Sequence, residues 1–411
     1  MHINKTSASE RATIFFMLLC SAVYFTSYIT RTNYGAVLVD MIADTGISQK
    51  AAGLVSTSAF FTYGIGQLIS GFIGDRVKPR LLIVIGMSVT AVCNLLMPFL
   101  TSAVPMMILW GINGFAQAMF WPPMVRMMAD NLSEDNYNRA CIWVSVGSSV
   151  ATIVIYLLAS LCTAVWNWRS LFFISAVAAV AMAVVWQLFA PKKDIMEKPV
   201  EVVSSERKPT GRLRIGAAVV IMMVPIAIAI VLQGILRDGV TTWLPTLVSD
   251  TFDLSSSVSI LTGIALPIFS MISYNVSAAL EKKIGNELIT SAVFFGIAAV
   301  SAGLLTLLLD VNPFISVLLL AVITGCMHGI NLMLISRVPR YFDRYGKIST
   351  ISGVVNAFTY VGSALSTYLF AAMSEDYGWG FTVASWLAIA AVGTAICVLT
   401  IGSWNKFRKQ R

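Results

Sequence analysis

PKKDIMEKPVEVVSSERKPTGRLR, residues 191–214, is the one long polar stretch inside this chain, and what flanks it decides the fold. On both sides the sequence runs in apolar blocks. Many exceed the roughly 18 residues a helix needs to cross a hydrocarbon core about 30 Å thick. Of the 411 residues, 57% are hydrophobic and only 12% charged, with mean hydropathy +0.80. A soluble domain is about half apolar and about a quarter charged, so too little polar surface is left here to coat a water-soluble core. The blocks therefore read as membrane spans, helical because a segment in lipid must satisfy its own backbone hydrogen bonds.

Spans are expected at residues 12–40, 50–74, 81–100, 103–129, 137–165, 168–190, 214–248, 256–280, 288–309, 313–338, 348–373 and 378–403. Six precede the polar stretch and six follow it. The expected fold is an all-α membrane protein of twelve transmembrane helices in two pseudo-symmetric six-helix halves. The expected organisation is an N-terminal half at 1–190, a linker at 191–213 and a C-terminal half at 214–411. The first block is far longer than a secretory signal core of roughly 7–15 residues and reads as a retained span. The six cysteines fall inside apolar blocks at irregular spacing, with neither a disulfide framework nor a metal-ligand pattern.

Charge sets the orientation. The chain carries 28 Lys and Arg against 20 Asp and Glu. All the basic residues except Arg31, Lys50, Arg169 and Arg237 fall in the two termini, the linker or the loops on the linker's side. By the positive-inside rule that side is the cytoplasm, so both termini are expected there, in the plasma (inner) membrane. The net charge of +8 is then a topology signal and not a nucleic-acid patch. Lys50 and Arg169 lie on the opposite side. Arg31 and Arg237 lie inside spans.

An internal repeat ties those two arginines together. Arg31 precedes Asp44-Thr45 by the same thirteen residues that separate Arg237 from Asp250-Thr251, and both pairs are related by an offset of 206. The same offset carries Asp75-Arg76 onto Glu281-Lys282, and an offset of 211 carries Gly114, Arg126 and Trp168 onto Gly325, Arg337 and Trp379. Parallel halves related about the membrane normal are a transporter architecture. Thirteen residues of helix span about 20 Å, which puts both arginines near the bilayer midplane. A charge there costs on the order of 2.5–3.5 kcal/mol on insertion scales, so two at symmetric depth point to a shared anion clamp. Arginine suits the role because its planar fork donates bidentate hydrogen bonds to phosphate or carboxylate and stays charged. The competing reading is a local salt bridge, for which Asp238 stands beside Arg237.

Around the arginines, Tyr24, Tyr28 and Arg31 share one helix face at i, i+4 and i+7. Tyr63 and Gln67 on span 2, Trp121 on span 4, Tyr274 on span 8, and His328 and Asn331 on span 10 complete the expected substrate-binding set. Asn113, Gln117, Gln233, Asn275, Asn356 and Tyr360 are further polar groups within spans, where interhelical bonding competes with ligand contact. GFIGDRVKPR (71–80) joins spans 2 and 3. Its Asp75, Arg76 and Arg80, together with Arg126 at the end of span 4, are expected to gate the cytoplasmic side.

The loop's G-x-x-x-D-R-x-x-x-R pattern resembles the signature of the major facilitator superfamily. YITRTNY (28–34), GDRVKPR (74–80), NGFAQAMFWPPMVR (113–126) and LRDGVTTWLPT (236–246) resemble, more narrowly, the organophosphate:phosphate antiporters, the family of glycerol-3-phosphate and hexose-phosphate transporters. That resemblance implies that Arg31 and Arg237 stand at the family's two substrate arginines. The chain departs from the family in two places. Gln67 stands where its bacterial members usually place a lysine, and Gly147 where the glycerol-3-phosphate branch has a histidine. Gln67 also looks like the sugar-acid branch of the related anion:cation symporters, but that branch's acidic positions hold Thr30 and Gln117 here.

The expected function is secondary active transport of a small organic anion, a phosphate ester exchanged for inorganic phosphate, by alternating access around Arg31 and Arg237. A proton-coupled symporter of a sugar acid or other carboxylate is the second reading, with Asp238 and His328 as its titratable candidates. A non-transporting phosphate-ester sensor is the third, and no output domain in the sequence supports it. No phosphate-binding P-loop, nucleophile triad or metal spacing appears, so the chain does not read as an enzyme, and no cofactor is expected. The expected partners are the small anion, inorganic phosphate as counter-substrate and membrane lipid. The chain is read as a monomer.

Overall fold

The computed structural model describes residues 3–74, 77–191, 216–345 and 348–409. The linker, the tip of the span 2–3 loop with Asp75 and Arg76, and the extreme termini lie outside the described residues.

Among the described residues the chain is helical throughout, with no strand. Span 1 is Ile3–Ala36, extended past Val37 by Leu38–Thr45, and span 2 is Gln49–Gly74. Span 3 is Pro79–Leu96; span 4 is Ala103–Gln117 with its continuation Trp121–Asn131; span 5 is Glu134–Val165; span 6 is Trp168–Phe189. In the second half, span 7 is Ala217–Phe252, span 8 is Ser256–Thr262 with Ala265–Ile284, and span 9 is Glu287–Leu308. Span 10 is Pro313–Asn331, carried on by a π-helical turn at Leu332–Arg337 and a 3-10 segment at Val338–Tyr345. Spans 11 and 12 are the two arms of Ile348–Lys409, divided at Gly378. There φ is 80°, a left-handed conformation that glycine adopts without a Cβ penalty. The helices overrun the expected spans mainly at their ends, because capping residues and amphipathic last turns are not apolar enough to count as span.

The two halves use one packing plan. Spans 1 and 5, 2 and 4, and 3 and 6 pack in the first half, and 7 and 11, 8 and 10, and 9 and 12 in the second. The repeat extends to single bonds. Trp168 Nε1 donates to Asp44 at 3.1 Å, and Trp379 Nε1 donates to Asp250 at 2.9 Å. Asp44 and Asp250 are one repeat pair and Trp168 and Trp379 another, so both halves tie their first and sixth helices in the same way. Glu281 on span 8 likewise pairs with Arg337 at the end of span 10. Close crossings depend on glycine: a Cβ on Gly234 would lie 2.2 Å from the Thr359 carbonyl oxygen, and one on Gly362 would lie 2.1 Å from that of Val231.

All the hydrogen bonds and ion pairs described between the halves lie at the end away from the linker or just beneath it. Lys50 Nζ meets Asp376 at 2.5 Å, and the Lys50 backbone N–H donates to Glu375 at 2.9 Å. Gln49 bonds Asp250 and Ser374, and Thr163 meets Ser257. One turn deeper, Thr57 donates to the Ala364 carbonyl at 2.7 Å. Gly53 lets this seam close, since a Cβ there would sit 2.5 Å from the Thr367 carbonyl oxygen. Spans 2 with 11 and 5 with 8 therefore seal one end of the bundle.

Candidate functional site

Beneath that seal lies a central group of aromatic and charged side chains, and Arg31 stands in it because of how the opposite face of span 1 is anchored. Gln117 Nε2 donates to Thr30 Oγ1 at 2.9 Å, and Gln117 Oε1 accepts from Ser27 at 2.9 Å. Asn94 and Asn113 both donate to the Thr30 carbonyl, and Asn33 donates to Asn94 and Ser175. These buried polar groups bond one another and stitch span 1 to spans 3, 4 and 6, leaving the Asn113 Oδ1 without a partner among the described residues. Gln117 and Asn113 are thereby accounted for as interhelical bonding.

That anchoring turns Arg31 inward. Its guanidinium carbon lies 4.3 Å from the centre of the Tyr28 ring and 5.3 Å from that of Tyr63. Among the described residues it has no ion pair and no side-chain hydrogen bond. Aromatic faces attract the cation without consuming its N–H donors. Its five N–H donors thus have no protein partner among the described residues.

Arg237 is placed differently. Its Nε and Nη2 donate to the two oxygens of Asp238 at 2.8 and 2.7 Å, a side-on bidentate pair. Asp238 also accepts from the Ser363 hydroxyl of span 11. The two side chains are 14% and 17% exposed, so the pair borders accessible space and is not sealed in the core. The two arginines expected to act symmetrically are thus placed differently: among the described residues Arg31 has no ion pair, whereas Arg237 is half-occupied by its own neighbour and its Nη1 has no hydrogen bond.

The remaining side chains bring the two arginines into one site. Tyr63 and Tyr360 meet across the halves with ring centres 4.6 Å apart, and Tyr360 lies within electrostatic reach of both Arg31 and Arg237. Tyr24 packs on Tyr28 at 5.4 Å and on Trp121 at 5.3 Å. Trp121 owes its position to the two prolines that follow it. Pro122 and Pro123 have no N–H, so span 4 breaks between Gln117 and Trp121. The Ala118 carbonyl, left without its helical donor, accepts from Ser70 at 2.9 Å. On the other wall, Tyr274 meets His328 edge-on at 5.8 Å. The His328 Nδ1 is 2.9 Å from the Thr324 carbonyl, which can only accept. Nδ1 therefore carries a proton, and when the ring is uncharged its Nε2 is an acceptor.

Tyr24, Tyr28, Arg31, Tyr63 and Trp121 thus come together on one wall, and Arg237, Tyr274 and His328 on the other. Gln67, one turn beyond Tyr63, is half-buried, and its Nε2 has no hydrogen-bond partner among the described residues. A buried unpaired donor is costly unless something outside the protein satisfies it. Asn331 is half-buried at the start of the π-helical turn, with no hydrogen bond described, and is not joined to this group. Of the expected gating residues, Arg80 donates to the Gln187 carbonyl of span 6, and Arg126 pairs with Asp130 one turn along its own helix at 3.7 Å. Asp75 and Arg76 lie outside the described residues. Ser363 was missed in the sequence because a serine within a span reads as packing, and nothing local shows that it faces Asp238.

The model of the Major Facilitator Superfamily matches residues 20–367, and the chain belongs to that superfamily. The chain is 30% identical over 176 residues to a probable hexose phosphate transport protein of Chlamydia trachomatis, covering 42% of this chain and 37% of that protein. It is 32% identical over 162 residues to the glycerol-3-phosphate transporter of Bacillus subtilis, covering 38% and 36%. A longer match, 24% identical over 396 residues, covers 92% of this chain and 88% of the membrane sensor protein UhpC of Salmonella typhimurium. The shorter matches thus span little more than a third of those two relatives' length. Among solved structures, an inward-facing, unoccupied bacterial homologue of the human lysosomal transporter Spinster superposes with TM-score 0.76 at 12% identity, covering 96% of this chain and 98% of that one. Such a likeness carries the fold. The hexose phosphate and glycerol-3-phosphate relatives agree with the narrower resemblance to the organophosphate:phosphate antiporters, and these relatives are membrane transporters rather than enzymes.

Proposed function

We propose that this chain is a secondary active transporter of a small organic anion, in the first instance a phosphate ester exchanged for inorganic phosphate. One observation carries the reading. Arg31, without an ion pair or side-chain hydrogen bond among the described residues, stands among tyrosines on one half, with Arg237 on the other, so its guanidinium donors are available to a ligand. A desolvated cation without a counter-charge is expensive, and an anion touching both arginines relieves that cost while drawing the halves together. Closure around the anion and reopening on the other side is alternating access, with each half moving as a body about the fixed site.

The rest of the site fits the same task. Tyr24, Tyr28, Tyr63, Tyr274 and Trp121 supply walls and hydroxyl or indole donors for the organic part. Gln67 contributes an unsatisfied donor where a cation is missing, and His328 Nε2 an acceptor. Asn331 is retained only as a border residue. At the linker end, the Glu281–Arg337 pair is the repeat counterpart of Asp75 with Arg126, which supports a matching latch in the first half, with Arg76 and Arg80 beside it. The sealed end faces the outside if the basic loops mark the cytoplasm of a plasma (inner) membrane. The anion then enters from, or leaves to, the cytoplasmic side in this state, and the protein works as a monomer surrounded by lipid.

Counterflow in reconstituted vesicles tests the reading: labelled phosphate should exchange against glucose 6-phosphate or glycerol 3-phosphate, and sugar acids should compete weakly. Competition by sugar acids alone would leave the carboxylate symporter in its place, a reading favoured by the intramembrane Asp238. Tight binding with no flux of any anion would favour the sensor.

A further inference from the structure

The charges gathered around Arg31 and Arg237 do not balance a dianion. Arg31 and Arg237 contribute two positive charges, and Asp238, held on Arg237 through both oxygens, removes one. His328 adds none in the neutral form that its bond to the Thr324 carbonyl accommodates. The described lining is therefore net +1, whereas a phosphate ester at neutral pH carries nearly two negative charges, its second pKa being about 6. Asp238 also occupies the side-on edge of Arg237, where a phosphoryl group would otherwise bind, and it lies next to whatever anion takes the remaining edge.

We infer that Asp238 is the charge-compensating residue of this site: the site accepts one net negative charge, and an anion carrying a second brings a proton to the Asp238 carboxylate. This rests on the transport reading above and deepens it. The groups facing Asp238 make the step possible. Arg237 on its own helix favours the carboxylate, as does the Ser363 hydroxyl on span 11. Tyr360 on span 11 and His328 on span 10 face the same cluster, and Tyr274 on span 8 stands against Arg237. When a dianion takes the Arg237 N–H bonds, the carboxylate loses its two guanidinium donors and gains a negative neighbour. A solvent proton then binds one Asp238 oxygen, the Arg237–Asp238 hydrogen bonds break, and Arg237–phosphoryl bonds form. The occupied site is neutral overall. Exchange of one dianion for another carries no net proton under this rule, whereas return of the empty site releases it, so the same residues serve exchange and proton-coupled uptake.

The test is proton uptake on binding, read with a pH indicator in weakly buffered solution at pH 8, with the purified full-length protein and saturating ligand. Glucose 6-phosphate and glycerol 3-phosphate serve as dianions and gluconate as the monoanion. The expected result is about one proton per bound dianion and about none per bound monoanion. In Asp238→Asn, dianions should bind about tenfold more tightly or better with no proton uptake. Should that variant fail to fold, Ser363→Ala keeps the carboxylate but removes a donor to its charged form, and the pH at which uptake fades should rise. Dianion binding without proton uptake overturns the inference alone, as does uptake that survives Asp238→Asn. Absence of any anion binding by the unmodified protein overturns the transport reading, and this inference with it.

Discussion

Replacing Arg31 by lysine separates the fork from the charge. Arg31 makes no hydrogen bond or ion pair to the described protein, and its packing partners are the Tyr28 and Tyr63 rings at 4.3 and 5.3 Å. Lysine keeps the positive charge over those rings but donates as a point, not as two parallel N–H groups. The loss is then about one charge-assisted hydrogen bond to the ligand, roughly 1.5–3 kcal/mol. At about 1.4 kcal/mol per tenfold, this raises the half-saturation concentration roughly 10- to 150-fold. Because no protein bond is broken, the thermal midpoint in detergent should stay where it is. Arg237→Lys differs: it also breaks the bidentate pair with Asp238, so it should lose both transport and stability. The assay is initial exchange rate against external phosphate ester in vesicles, with thermal unfolding measured in parallel. An Arg31→Lys protein whose half-saturation stays within about twofold of the unmodified one would refute the assignment of a free fork to this residue.

Tyr63→Leu removes one ring from Arg31 and the contact with Tyr360, and should weaken binding by up to about 2 kcal/mol, near 30-fold, in the same exchange assay. Lys50→Glu places a third acidic group beside Glu375 and Asp376, so the outer seam should open and a cysteine introduced at Thr57 should label faster from outside; unchanged labelling would mean that the seam does not depend on this pair. Gly362→Ala forces a methyl into the Val231 carbonyl and should cost about 1–3 kcal/mol of stability, read as a lowered thermal midpoint. Gln67→Lys adds a cation one turn from Tyr63 and should shift competition toward phosphate esters over carboxylates; an identical competition profile would remove Gln67 from the site.

The sequence makes the fold legible because lipid imposes a simple code. A span must be long, apolar and helical, and Lys and Arg collect on one side, so counting blocks and charges recovers twelve helices. The repeat offsets carry further, down to the matched Trp168–Asp44 and Trp379–Asp250 bonds. Within the site, Tyr24, Tyr28 and Arg31 are legible because one helix face at i, i+4 and i+7 needs no tertiary information. What is not legible is which helices touch. Gln117 and Asn113 leave interhelical bonding and ligand contact both open in the sequence, and the structure shows them bonding Thr30 across a helix contact that no local pattern encodes. The Arg237–Asp238 pair was visible as adjacency, but neighbours in sequence on a helix need not meet; the Ser363 hydroxyl from another span completes the arrangement.

If one anion is held by both halves at once, a structure of the protein with a bound phosphate ester shows it. Phosphoryl oxygens within hydrogen-bonding distance of both the Arg31 and Arg237 guanidinium groups are expected, with Asp238 displaced from the ligand-facing edge of Arg237. An ester gripped by one arginine alone, or seated away from both, would contradict it.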